Sequence, residues 1–230
     1  MLFERARTRI AAVIFDFDGV LADTERLHLG AFQEVFASRG WTLDDATYFD
    51  RYLGCDDHGL VVTYARDRGL ALDDADVRRL VESKTATFAR LLDAGAILYH
   101  GAGECVERLG TKFPLGIASG ALRQEIVRIL DAAGLTRRFA AIVAADDVTA
   151  CKPAPEPYLK AAAALGAPPA ECIAIEDSGA GLEAAHAAGM RTIAITTTSP
   201  RTALARADYV IGSLDEVSVE LMEQLAVASS

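Results

Sequence analysis

The chain is short of cysteine, of positive charge and of long apolar runs, and each shortage narrows what it can be. Its four cysteines, Cys55, Cys105, Cys151 and Cys172, are scattered and form no C-x-x-C pair. They suggest neither a zinc site nor a disulfide framework, and they suit small buried or half-buried residues in a reducing cytoplasm. No uncharged stretch approaches the roughly 18–20 residues that a membrane span requires. The opening MLFERARTRI places charges before any apolar run of signal-peptide length, so no secretory signal is expected and the first eight or so residues read as a loose extension. With 23 Lys and Arg against 33 Asp and Glu, a net charge of −10, the chain lacks the basic surface with which nucleic-acid binders displace counterions. Neither an internal repeat nor a low-complexity linker is present.

What is there is a soluble globular composition, 51% hydrophobic and 24% charged over 230 residues. That is enough for one large domain, or one domain with a smaller insert. Six short aliphatic runs stand out: AAVIFDF (11–17), PLGIAS (114–119), AAIVAA (140–145), CIAIED (172–177), TIAIT (192–196) and DYVIG (208–212). Each is apolar on consecutive residues, as in a parallel strand covered on both faces. Helical stretches lie between them. In ALRQEIVRILDAAGL, Leu122, Ile126, Ile129, Leu130 and Ala133 form one helical stripe that stops at Gly134. The stretch from Pro157 to Gly166 and SGAGLEAAHAAG, ending on Gly189, behave alike. The alternation predicts an α/β fold, a doubly wound, Rossmann-like parallel sheet. Residues 25–94 break it with helical patterns and Asp-rich turns, which predicts a helical insert between a core of 1–24 and 95–230, with hinges near 22–25 and 93–97.

Ligands of an open α/β sheet bind at the carboxyl ends of its strands. The first predicted strand ends on Asp16 and Asp18, and the second on Ser119 and Gly120. Lys152 follows the third, and Glu176 and Asp177 end the fourth. Each taken alone has an ordinary explanation as a turn, a helix start, a solvated lysine or an N-cap. Together they bring four carboxylates to one pocket, and these cannot all stay ionised without a cation. Lys152 supplies one charge, and a hard divalent ion held by oxygen, Mg2+ by preference, supplies the rest.

These residues, in the order DFDGVLADTE, Ser119, CKPAPEPY and EDSGAG, resemble the four motifs of the haloacid dehalogenase superfamily. The closest likeness is to the branch with a small helical cap after strand one, which holds β-phosphoglucomutases and many sugar-phosphate phosphatases. The resemblance implies that Asp16 attacks phosphorus to give a phospho-aspartyl enzyme. Asp18 would protonate the leaving alcohol and then deprotonate water. Asp16, Asp18, Glu176 and Asp177 would surround Mg2+, and Ser119, Gly120 and Lys152 would hold the phosphoryl oxygens. Lys152, ahead of Pro153, is biased to an extended backbone that aims it into the pocket. Asp23 and Thr24 stand where the chain leaves for the insert, either as a helix N-cap with Thr24 leading TERLH or in contact with substrate.

The insert would decide between hydrolysis and phosphoryl return to a sugar phosphate. The resemblance places His28 beside Asp18, as in the mutases, although phosphatases share it. In the loop YLGCDDHGL, Gly54 is kept, but Leu53 stands where the mutases carry lysine, and Asp56, Asp57 and His58 replace basic character. Two carboxylates there would repel a distal phosphate, and Lys84 would restore one positive charge unless it lies on a solvated face. Hydrolysis of a small phosphorylated metabolite, a sugar phosphate above all, is therefore expected, with the β-phosphoglucomutase reaction as the alternative. A phospho-acceptor signalling or binding protein is the reading from another class. The motif order, the insert and the presence of both Asp16 and Asp18 speak against it. The partner expected is the small phosphorylated substrate alone, with no nucleic acid and no membrane, in the cytoplasm. The sequence leaves the oligomeric state open, with a monomer as the default.

Overall fold

The computed structural model describes residues 9–53, 55–92 and 98–227. Six strands form one sheet, β1 (Ala12–Phe15), β2 (Leu115–Ala118), β3 (Phe139–Val143), β4 (Cys172–Glu176), β5 (Arg191–Ile195) and β6 (Tyr209–Ile211). Their order is β3-β2-β1-β4-β5-β6, and every neighbouring pair is parallel. All six aliphatic runs are therefore strands. The chain winds outward from β1 in one direction, then returns past it to β4 and winds in the other. This leaves a crevice above the carboxyl ends of β1, β2 and β4.

Between β1 and β2 lie α1 (Glu25–Ala37), a helical turn α2 (Asp45–Thr47), α3 (Asp57–Arg68), α4 (Asp74–Leu92) and α5 (Ala102–Gly110). The later connections are α6 (Arg123–Ala132), α7 (Glu156–Ala164) and α8 (Gly179–Ala187), and α9 (Val219–Val227) follows β6.

The period of two along each strand sorts side chains by size. Val13, Phe15, Ile117, Ile173, Ile175 and Ile193 face one side with residues of α5, α6 and α9. Ala12, Ile14, Ala118, Cys172 and Ala174 face the other, against Tyr158, Ala161, Ala162, Ala184 and Ala185 of α7 and α8. The small face lets α7 and α8 lie close, and a Cβ on Gly116 of β2 would stand 2.9 Å from Leu165. The large face carries most of the apolar burial, about 1.5–3 kcal/mol for each Val, Ile or Phe side chain removed from water.

Helices α1, α3 and α4 keep a separate apolar cluster, in which Phe32, Phe36, Tyr64, Val77 and Leu80 pack together. No described residue between 25 and 92 is in a strand. The outgoing and returning chains lie side by side, with an antiparallel bridge between Ala22 and Leu98. The Tyr99 N–H donates to the Leu21 carbonyl at 2.9 Å. The expected second hinge, 93–97, lies outside the described residues. Among the described residues no helix is long and apolar enough to cross a membrane.

Candidate active site

Asp16 is the first residue beyond β1, and its N–H donates to the Ile175 carbonyl at 2.9 Å, so β4 fixes where its side chain starts. Asp16 is 8% exposed, with its carboxylate Oδ1 2.8 Å from Lys152 Nζ. Lys152 enters from the loop between β3 and α7, ahead of a cis Lys152–Pro153 peptide. Its ammonium is buried, 2.5 Å from Glu176 Oε1 and 5.0 Å above the Tyr158 ring. It is not a solvated lysine but the charge partner of two strand-end carboxylates, which hold its pKa above the ordinary value against the pull of burial.

Glu176 is fully buried and takes five donors. Oε1 accepts from Lys152 Nζ and from the Tyr158 hydroxyl at 2.8 Å. Oε2 accepts from the N–H of Asp177 at 3.0 Å, the N–H of Ser178 at 3.2 Å and the Ser178 hydroxyl at 3.1 Å. It thereby sits under the start of α8, where an anion is stabilised. A Cβ on Gly181 would overlap its carboxylate, which explains glycine in the first turn of that helix. Asp177, 2% exposed, is held by the Thr198 hydroxyl. A Cβ on Gly19 would overlap Asp177, and Gly19 also has φ of +78°.

Oxygens of Asp16, Glu176 and Asp177 lie within 4.8 Å of one another. Burial, with Glu176 and Asp18 adding and Lys152 opposing, lifts the pKa of Asp16 from 3.8 to about 8. Burial, then Glu176 and Asp16, push Asp177 well above its ordinary value. Carboxylates that hold one another's protons on in this way are matched by a divalent cation, since the Lys152 ammonium is one charge shared between Asp16 and Glu176. The residues present therefore fit a metal ion. By donor count, Asp16 and Asp177 have lone pairs to offer it, whereas Glu176 is already saturated.

Asp18 differs from its neighbour. Burial pushes its pKa up, but the His28 imidazole and the Thr24 hydroxyl hold it below the ordinary value. Thr24 precedes α1 as expected, yet its side chain caps nothing. Its hydroxyl donates to Asp18 instead. His28 Nε2 is 3.6 Å from Asp18 Oδ1, and Ser119 Oγ is 3.5 Å from Asp18 Oδ2. Ser119 also accepts the N–H of Ala121 at 3.0 Å, at the entry to α6, and Gly120 beside it is exposed with open space where a Cβ would point.

Asp16, Asp18, Ser119, Gly120 and Lys152 form the core side of one cavity, and residues of α1 and α3 form the other. His28 lies on that second side, stacked on Phe88 at 4.2 Å. Lys84 is 1% exposed rather than solvated. Its Nζ is 2.8 Å from Asp57 and 2.7 Å from His28 Nδ1, and it lies over the rings of Phe88 and Phe32. Gly54 lies outside the described residues. Asp56 caps α3, accepting the Gly59 N–H at 2.7 Å, and takes the Cys151 thiol at 2.8 Å. Sequence reasoning did not single out Tyr158, Thr198, Glu25, Gly19 or Gly181. Gly19 and Gly181 were visible inside the DFDG and SGAG strings, but only the fold shows which carboxylates need them small.

The sheet order, the carboxylates at its switch point and the helical layer above them define a doubly wound α/β protein with an acidic, metal-compatible crevice. Residues 13–195 match the haloacid dehalogenase-like hydrolases, and the chain belongs to that family. It is 33% identical to Protein CbbY of Rhodobacter capsulatus over 227 residues, 94% of this chain and 99% of that one. It is 31% identical to the fructose-1-phosphate phosphatase YqaB of Escherichia coli over 188 residues, 80% of this chain and 96% of that one. A crystal structure of a CbbY variant from Rhodobacter sphaeroides with xylulose 1,5-bisphosphate superposes with a TM-score of 0.82 at 29% identity, covering 90% of this chain and 96% of that one.

Proposed function

We propose that the protein is a Mg2+-dependent phosphohydrolase that cleaves a small phosphorylated metabolite, a sugar phosphate above all, in the cytoplasm and as a monomer. The observation that carries this reading is the placing of two carboxylates with different partners at the end of β1. Asp16 faces Lys152 and the acidic cluster, and Asp18 faces His28, Thr24 and Ser119. Neighbouring acids in contrasting environments suit different roles.

Asp16 attacks phosphorus while Asp18 gives a proton to the departing alcohol oxygen, so the ester P–O bond breaks as the aspartyl P–O bond forms. Asp18 then takes a proton from water, whose oxygen joins phosphorus and frees Asp16 and inorganic phosphate. Lys152, the Ser119 hydroxyl and the Gly120 N–H hold the phosphoryl oxygens. Bound Mg2+ neutralises charge shared by Asp16 and the phosphoryl group. Asp16 and Asp177 would hold it, with the Asp18 carbonyl as a further oxygen, while Glu176 anchors Lys152. Residues 25–94 act as a cap over the core of 1–24 and 95–230, turning on the paired chains at Ala22 and Leu98 and shielding the reaction from bulk water.

Support comes from the relatives named for phosphate release and from the pocket's charge balance. One relative is named for a monophosphate and one solved neighbour holds a bisphosphate, so the far end of the substrate is the open question. The test is phosphate release from a panel of phosphorylated metabolites with Mg2+, run beside conversion of β-glucose 1-phosphate to glucose 6-phosphate. Free phosphate supports the hydrolase, and isomerised sugar phosphate without it would replace that reading with a mutase.

A further inference from the structure

We infer that Asp57 makes the cavity selective for a phosphate monoester whose remaining part is uncharged and rich in hydroxyls, by consuming the charge of Lys84 that a second phosphate would need. The inference rests on the phosphohydrolase reading and adds the substrate class.

Among the described residues lining the cavity, the only cationic types are Lys152 and His28. Lys152 is held between Asp16 and Glu176, at the reacting end. His28 has Nδ1 against Lys84 and Nε2 turned to Asp18. An ammonium only donates, so Nδ1 accepts and Nε2 carries the proton. That Nε2 is buried, has no hydrogen-bond partner and belongs to a cavity-lining residue 9% exposed, a donor left open for a ligand beside Asp18. The remaining buried cation nearby is Lys84, which does not line the cavity. Asp57, two aromatic rings and His28 enclose its ammonium.

Apart from the His28 N–H beside Asp18, the carboxylates that the α1 and α3 side presents are acceptors. Asp57 faces the cavity with one charge already matched by Lys84. Asp56 is fixed by the start of α3 and by Cys151, and Glu25 is fixed by the Tyr48 hydroxyl at 2.8 Å. Sugar and polyol hydroxyls donate to such carboxylates. A second phosphate brings only acceptors and negative charge, and meets three carboxylates with no cation free to answer it. Selectivity of this kind comes from penalising the competitor as much as from welcoming the substrate.

The experiment compares kcat/KM for the monophosphate and the bisphosphate of the same sugar, for glucose, fructose and ribulose, in the Mg2+-loaded full chain. p-Nitrophenyl phosphate serves as a minimal ester. The best monophosphate is expected to exceed its bisphosphate by about tenfold or more. Asp57→Asn, which releases Lys84 from its anion, is expected to raise the bisphosphate-to-monophosphate ratio about tenfold. Adding Lys84→Met to that variant should return the ratio to the wild-type value. A purely structural role for Asp57 would lower both substrates together, and an unchanged ratio overturns the inference. So does a wild-type preference for the bisphosphate, a measurement that needs no variant to fold. Failure on p-nitrophenyl phosphate and on every sugar phosphate would instead remove the phosphohydrolase reading itself.

Discussion

The two walls of the cavity are built on different principles. On the core wall each polar group leaves the end of a strand, and its neighbours are fixed by the register of a parallel sheet. Asp16, Ser119 and Asp177 cannot move without breaking strand pairing, so their charges stay close together although they repel. On the α1 and α3 wall the groups leave helices, and each carboxylate has found a private partner: Asp57 with Lys84, Asp56 with Gly59 and Cys151, Glu25 with Tyr48. The first wall stores unbalanced charge, which a metal and a phosphoryl group relieve. The second keeps one ion pair and two carboxylates held by neutral donors, and offers shape and hydrogen-bond acceptors. On the proposed reading, reaction belongs to the first wall and selection to the second.

Variants can sharpen or break that contrast. The largest effect is expected for Asp16→Asn. Turnover should fall by about 10^4-fold or more, as when a nucleophile is removed, with folding retained because a repelling buried charge is gone. Steady-state phosphate release and thermal unfolding check both halves, and substantial turnover would reassign the nucleophile. Next is Gly181→Ala, whose added methyl overlaps the Glu176 carboxylate. It should cost about 1–3 kcal/mol in denaturant unfolding and lower kcat by displacing Lys152. An equal stability loss with normal kcat would separate Glu176 from Lys152.

Chelation should silence the enzyme, and metal-free protein should lose stability as pH rises. The folded Asp16 keeps its proton up to about 8 and the unfolded one up to about 3.8. Between those values the folded state binds more protons, so raising pH favours unfolding. Melting curves from pH 5 to 8 should slope downward without metal and flatten with Mg2+, and parallel curves would argue against a metal on these carboxylates. Tyr158→Phe removes one of five donors to Glu176 and is expected to cost about 0.5–1.5 kcal/mol. The smallest effect belongs to Arg51→Ala on the exposed face of the α1–α4 layer. The pair with Asp67 is solvent-screened, so thermal unfolding should barely shift and kcat should be unchanged.

The contrast also explains what the sequence revealed. Consecutive aliphatic residues marked all six strands, because burial on both faces of a parallel sheet leaves no alternation to confuse. Motifs just beyond strand ends converge by topology alone, so Asp16, Asp18, Ser119, Lys152, Glu176 and Asp177 could be collected into one site before any geometry was known. The partners of those groups could not. Tyr158 reads as a core aromatic on α7, and its hydroxyl matters only because Glu176 lies above it. Thr24 reads as a helix cap, and only the approach of β1's end turns its hydroxyl to Asp18. The α1–α4 region was harder still. Lys84 and Asp57 are 27 residues apart on separate helices, and helix periodicity places each on a face without saying which faces meet. The negative loop thus looked more repulsive than it is, since one of its carboxylates is paired.

The antiparallel bridge between Ala22 and Leu98 has a consequence for how such a molecule is assembled. The segment between them begins and ends at one point on the core, so the sheet experiences it as a single closed loop, however many helices it contains. Closing a longer loop adds only about 0.6 kcal/mol for each doubling of its length. Loop length by itself therefore weighs little on the core, although Ala31, Phe88 and Leu92 of the segment also pack into its apolar cluster. The junction at Ala22 and Leu98 is thus a single point at which the whole helical segment is strung onto the sheet.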